Sequence, residues 1–296
     1  MLTVYYDLSS DGKEYTTNYG MAVDVQTGEI VKSVDGNCIW HGLIDLSPDG
    51  RYLAGSTYLN GIGIFDIQKN ECIRPENSTS LNPVESWSPE SNRFILAQSK
   101  IIMDFPSFQV IPFSSDYPMD YTASTHIVGS GRYLWDKDRN LPIAELVTEC
   151  NGCLDGFDPS YPNLSAIQNL KIASIDTTEL RKSGKRIEQT LLTEEWLSYP
   201  FFPIFDPTGE FVLVPVEIRN QPPTPADRDD YDKSEYIQDT VIYLIRWRTK
   251  EKIEFLRLSN YGSPQHYISA PITWSADGST ILIPRWQATP LVVSVK

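Results

Sequence analysis

A turn that recurs through the chain constrains its folding more than any other feature. At Leu46-Ser-Pro-Asp-Gly50 an apolar residue closes one segment, and the polar turn leads into Arg51-Tyr-Leu-Ala-Gly55. The unit returns as Trp87-Ser-Pro-Glu-Ser91 before Arg93-Phe-Ile-Leu-Ala97 and as Phe205-Asp-Pro-Thr-Gly209 before Phe211-Val-Leu-Val214. It returns again as Trp274-Ser-Ala-Asp-Gly278 before Ile281-Leu-Ile283. Weaker copies are Leu8-Ser-Ser-Asp-Gly12, Phe113-Ser-Ser-Asp116 and Phe157-Asp-Pro-Ser160. Ser or Asp opens such a turn through its side chain, Pro presets φ, and Gly supplies a positive φ. The seven copies begin at residues 8, 46, 87, 113, 157, 205 and 274, giving spacings of 38, 41, 26, 44, 48 and 69. Most lie near the ~40 residues that four short strands and their turns occupy.

A second landmark keeps step with the first. Some 16 to 23 residues after most turns an apolar residue precedes Asp: Val23-Asp24, Phe65-Asp66, Met103-Asp104, Trp135-Asp136 and Ile175-Asp176. The sixth and seventh units read Ile245-Arg246 and Val293-Ser294 there. A polar turn follows, such as Gln26-Thr-Gly28 or Gln68-Lys-Asn70, and then a short strand. Each unit therefore reads strand, turn, strand, loop, strand ending in Asp, turn, strand.

These residues resemble the WD-repeat and TolB-like β-propeller families, whose blades carry Trp-Ser-Pro-Asp-Gly, an apolar strand, and then apolar-Asp with a turn. The resemblance spans nearly the whole chain and is strongest at the second, third and seventh copies. The Trp-Asp dipeptide appears only at Trp135-Asp136, and His41 is the one candidate remnant of the WD hydrogen-bond network. The resemblance implies an all-β fold, a single propeller over residues 1–296 with seven four-stranded blades. The last blade shows only three strands before the chain ends. Either it keeps an open edge to which a partner strand can add, or residues 2–7 supply its outer strand.

The largest departure from the repeat is an acidic, Pro-rich insertion at about 217–238, placed between the second and third strands of its blade. Its few apolar residues cannot bury enough surface to fold alone. It has neither the central Gly nor the terminal Glu of an EF-hand, so calcium is not expected.

Composition narrows function chiefly by exclusion. A net charge of −14 disfavours a general nucleic-acid or anionic-membrane surface and suits a basic partner. The local basic run Arg181-Lys-Ser-Gly-Lys-Arg186 reads as a solvated turn. The first residues show no secretory pattern and no apolar run approaches ~20 residues, which places the chain in a cytoplasmic setting. Four cysteines in this length do not suggest a disulfide framework. Cys38 and Cys72 read as small buried hydrophobes, and Cys150-Asn-Gly-Cys153 as turn cysteines lacking a second metal-binding hook.

No catalytic motif emerges: there is no Gly-x-Ser-x-Gly elbow, no His-Glu-x-x-His and no phosphate loop. His41, His126 and His266 share no motif, and the recurrent Asp residues have a structural role in turns. Catalytic, cofactor-binding and metal residues are accordingly none. The expectation is a non-catalytic scaffold that docks another protein, of unspecified identity, through face or rim loops. Trp196, Tyr199, Phe201, Phe202 and Trp286 fall in or near connections and are the aromatic contact candidates. Asp229, Asp230, Tyr231 and Tyr236 are the candidates within the insertion. The rival expectation is a hydrolase or a carbohydrate or small-molecule binder using carboxylates and aromatics at the propeller mouth.

Overall fold

The computed structural model describes residues 2–7, 19–24, 30–34, 38, 41–56, 61–75, 84–96, 101–111, 121–122, 125–151, 167–175, 187–194, 203–219, 237–259, 272–275, 277–285 and 288–295. All regular structure among them is β, and every sheet is an up-and-down antiparallel meander in chain order. This is the construction of a propeller blade, so the resemblance read from the repeat holds at the level of the blade.

The chain divides into two compact units, the first comprising Met1–Tyr117, Trp135–Pro142 and Thr177–Lys182. Its first sheet is β1 (Leu2–Asp7), β2 (Tyr19–Asp24) and β3 (Ile30–Val34). Its second is β4 (His41–Leu46), β5 (Tyr52–Ser56), β6 (Ile62–Asp66) and β7 (Glu71–Ile73). Its third is β8 (Val84–Trp87), β9 (Arg93–Leu96), β10 (Ile102–Asp104) and β11 (Val110–Ile111). The second and third sheets share a core in which Ala54, Ile62 and Ile64 meet Val84, Trp87, Phe94 and Phe105. Trp87 stands edge-on to both Phe94 and Phe105, with ring centroids 5.6 and 5.3 Å away.

The second unit comprises Pro118–Leu134, Ile143–Asp176 and Ser183–Lys296. It contains most of a five-stranded sheet, β12 (Ile127–Ser130), β13 (Tyr133–Asp136), β14 (Leu141–Asn151), β15 (Ile167–Ser174) and β16 (Glu188–Glu194), whose Trp135–Pro142 hairpin counts with the first unit. A four-stranded sheet follows, of β17 (Ile204–Phe205), β18 (Phe211–Arg219), β19 (Ile237–Arg246) and β20 (Glu251–Ser259). The last sheet has three strands, β21 (Thr273–Trp274), β22 (Thr280–Arg285) and β23 (Ala288–Ser294).

The expectation of seven four-stranded blades is therefore wrong. The described residues form six sheets, five with three or four strands and one with five. The fourth and fifth copies of the turn lie outside the described residues, and where the repeat predicts two blades the described strands β12 to β16 form a single sheet. The cause lies in β14. Its residues Pro142 to Leu146 are all buried, which suits an interior strand, and it pairs with β15 over eight positions from Ala144↔Ser174 to Asn151↔Ile167. The copy spacing of 26 residues is not the cause, since the unit it bounds, β8 to β11, keeps four short strands. The three-stranded last sheet is observed, while β1 pairs with β2 from Leu2↔Asp24 to Asp7↔Tyr19 within its own sheet.

The recurrent turn has the chemistry its residues dictate. Ser47 Oγ donates to Asp49 Oδ1 at 2.6 Å and accepts the Tyr52 N–H at 2.8 Å. The Gly50 N–H closes the turn on the Ser47 carbonyl at 2.8 Å, with φ at +73°. Ser275, Asp277 and Gly278 repeat the pattern, and Asp206 takes the Ser role by accepting the Phe211 N–H at 2.7 Å. At the third copy Ser91 occupies the position of Gly, with φ +58°.

Candidate interaction platform

The nine nominated contact residues, Trp196, Tyr199, Phe201, Phe202, Asp229, Asp230, Tyr231, Tyr236 and Trp286, lie outside the described residues, as do Cys153, His266 and the basic run 181–186. What the structure shows is the base from which the insertion emerges. Residues 220–236 join β18 to β19, the second and third strands of their sheet. Strands β18, β19 and β20 have 9, 10 and 9 residues, against 5, 5 and 3 for the corresponding strands β5, β6 and β7. The hairpin runs out to Glu217↔Thr240, Ile218↔Asp239 and Arg219↔Ile237, and β20 follows it as far as Ser259↔Asp239.

The extended end is braced by charge. Asp239, almost fully buried, accepts from Arg257 Nη1 at 2.6 Å. The same guanidinium grips Glu254 through Nε and Nη2 at 2.8 and 2.7 Å. The Arg257 hydrogen bonds hold the Glu254 carboxyl below its ordinary range, and the two carboxylates raise the Arg257 guanidinium. Along β20, Glu251, Lys252, Ile253 and Glu254 are exposed, and Lys252 lies 4.5 Å from the Tyr243 ring centroid. This outer strand alternates charge with apolar surface, presenting a mixed face with both signs.

Most repeated carboxylates that the structure describes are committed to the fold. Asp66 Oδ1 accepts the Gln68 and Lys69 N–H groups at 3.0 and 3.1 Å, and Asp136 Oδ1 accepts those of Asp138 and Arg139, each at 3.0 Å. Sequence reasoning missed the arginine that accompanies them. Arg51 reaches Asp66 at 2.8 Å and Arg93 reaches Asp104 at 2.9 Å. The signal was present, since each Arg falls at the start of the strand after a turn copy. The Arg51 hydrogen bond holds the Asp66 carboxyl below its ordinary range.

Asp45 is the carboxyl that stands apart. It accepts the Trp87 N–H at 3.1 Å, while the Trp87 indole donates to its carbonyl at 3.3 Å, tying β4 to β8. Burial among these strands pushes its carboxyl up to about 7, against the opposing pull of the Trp87 and Leu46 backbone hydrogen bonds. An acid inside the apolar run Leu43-Ile-Asp-Leu46 was the signal that sequence reasoning passed over.

The cysteines require a correction. Cys38 and Cys72 are joined as a disulfide with Cα atoms 5.6 Å apart; Cys38 is buried as expected, but Cys72 is exposed. The sequence concealed this because the partners come from segments 34 residues apart that only the fold brings together. Trp87 is fully buried as expected, whereas Trp274 is half-buried, and His126 is exposed. Among the described residues, no group of three or more His, Cys, Asp or Glu is placed to hold a metal ion, and no helix is long and apolar enough to cross a membrane.

The class these features define is an all-β chain of propeller-type blades. No protein-family model and no curated protein matches it. Among solved structures it is similar to the β-propeller domain of Cps50 (Swd1) from Myceliophteria thermophila, with 11% identity and a TM-score of 0.43 over 100% of this chain and 93% of that one. Hydrazine synthase of Kuenenia stuttgartiensis is similar at 12% identity and TM-score 0.43, over 94% and 89% of the two chains. Oligogalacturonate lyase of Vibrio parahaemolyticus is similar at 10% and 0.42, over 98% and 85%. The blade assignment rests on the meander sheets themselves.

Proposed function

We propose that the chain is a non-catalytic module that docks another protein, and that the end of the β18–β20 sheet, with its 220–236 connection, makes the contact. The observation that carries this reading is the lengthening of three adjacent strands at the base of the insertion, held by the Arg257–Asp239–Glu254 network. A long connection on a braced support has the form of a binding loop on a rigid scaffold. The net charge of −14 and the acidic residues of the insertion favour a partner with a basic surface. The commitment of Asp66, Asp136 and Asp206 to turn hydrogen bonds favours the scaffold over an enzyme using those acids.

The test is capture from native extract by the intact chain and by one whose residues 220–236 are replaced with a short Gly-Ser linker, followed by reconstitution of any captured protein with purified chain. Binding that weakens at least tenfold with the replacement, and that falls with salt, supports the proposal. Equal binding by both chains removes the insertion from the interface. Turnover of a small substrate without any protein partner would overturn the scaffold reading.

A further inference from the structure

We propose that the Cys38–Cys72 disulfide is a redox-operated latch for the outer strand β7, opened by a low-molecular-weight thiol attacking at Cys72. The argument begins with register. Leu46↔Leu53, Leu53↔Phe65 and Phe65↔Cys72 are successive cross-strand partners through β4, β5, β6 and β7. Directly opposed residues share a face, so these four form one row across the sheet. Cys38, from the segment before β4, packs with Leu53 and Phe65, with Leu46 and Ile67 at the margin. The disulfide is thus a staple from a buried sulfur on that face to the last strand of the row.

Apart from the bond, the strand is held by one side chain and one strand partner. β7 has three residues: Glu71 and Cys72 are exposed, half-buried Ile73 packs at the margin of the Ala54–Phe105 core, and the strand pairs with β6 alone among the described strands. On the opposite face Ala54, Ile62 and Ile64 pack with Trp87 and Phe94, all fully buried, and β7 adds only Ile73 at the margin. Opening the bond leaves β7 on Ile73 and its pairing with β6, so the strand loosens over the outer edge of β6 while that core stays closed.

Exposure also sets the direction of the chemistry. A thiolate RS⁻ attacks Sγ of Cys72, the S–S bond breaks, and Cys38 leaves as a thiolate that takes a proton from solvent. A second RSH resolves the mixed disulfide on Cys72, releasing RSSR and the Cys72 thiol. Two thiols are oxidised and one disulfide is reduced. The latch is closed in an oxidising compartment and open in a thiol-rich one.

The test uses the full chain purified without reductant. Alkylation after denaturation should leave Cys38 and Cys72 unlabelled. Limiting reduced glutathione applied to the folded chain should place the adduct on Cys72 and leave Cys38 open to alkylation. Hydrogen exchange should then rise at least tenfold at residues 71–73 with residues 84–96 unchanged, and Cys72→Ser should reproduce this without thiol. Alkylation of both cysteines before reduction, an adduct on Cys38, unchanged exchange at 71–73, an equal rise through 84–96, or unfolding of the Cys72→Ser chain would each overturn the latch.

Discussion

Replacing Gly129 with Ala tests how closely two sheets of the second unit are joined. Gly129 lies in β12, where a Cβ would collide with the Asp206 carbonyl oxygen, stand 2.6 Å from the Phe205 Cβ and 3.0 Å from the Asp206 carbonyl carbon. None of these atoms can swing aside, because all belong to the backbone or to the first side-chain carbon. Two backbone hydrogen bonds cross the same seam, from the Gly129 N–H to the Pro207 carbonyl at 3.2 Å and from the Phe205 N–H to the Gly131 carbonyl at 2.8 Å. Overpacking of this kind costs about 1–3 kcal/mol, and each backbone bond lost adds about 1 kcal/mol. Gly129→Ala should therefore destabilise by about 3–5 kcal/mol, a fall in Tm of about 10 °C for a unit of this size. Gly50→Ala is the control. Gly50 has φ +73° but nothing within 4 Å of its would-be Cβ, so only the conformational cost of about 1 kcal/mol applies. Both variants are to be melted by circular dichroism and unfolded in urea to check that m is unchanged. If Gly129→Ala melts within 3 °C of Gly50→Ala, the close approach of β12 to the turn after β17 is refuted.

Three further outcomes are expected. Asp45 has a folded pKa of about 7, above its ordinary 3.8, so its contribution to stability is fully present below pH 3.8 and is lost as pH rises through 7. Three units correspond to about 4 kcal/mol at most, reduced to about 2 kcal/mol by solvent screening because the residue is half-buried; Asp45→Asn should be the more stable chain at pH 8, and urea midpoints from pH 5 to 8 that run parallel for the two chains would sink this account. Trp247→Phe removes the indole donor that meets the Gly209 carbonyl at 2.7 Å inside the core, and should cost about 2 kcal/mol by urea titration, with less than 0.5 kcal/mol counting against it. Arg257→Met should leave Asp239 buried without that partner and cost about 1–2 kcal/mol, while Glu254→Gln should cost clearly less; equal effects would deny Asp239 its bracing role.

The legible part of this fold was its local chemistry. Ser47, Asp49 and Gly50 lie within four positions, so the turn that joins β4 to β5 could be read from residue types alone. Asp66 and Asp136 were likewise read as turn acceptors, because their donors lie only two and three residues ahead. The number of sheets was not legible, because it depends on whether β14 ends a sheet or continues into β15. That choice is made by burial of Pro142 to Leu146 on both faces, and an apolar run does not declare how many faces it buries.

The same distinction explains which features of the molecule escaped notice. Asp45, Gly129 and Cys38 each break a local rule: an acid inside an apolar strand, a glycine inside a strand, and a cysteine that packs as a hydrophobe yet carries a bond. Each breach is resolved by a residue far along the chain, respectively Trp87 at 42 residues, Asp206 across the seam, and Cys72 at 34 residues. A breached local rule in a sequence therefore locates a long-range contact without naming its partner. Applied to 217–238, this logic separates two things. The insertion's acidic, Pro-rich composition told of a departure from the repeat, but its two ends, Glu217–Arg219 and Ile237, belong to the lengthened strands, and the Arg257 network that supports it lies outside it. Cutting the insertion while leaving Arg257, Asp239 and Glu254 in place therefore separates loss of a contact from loss of its support.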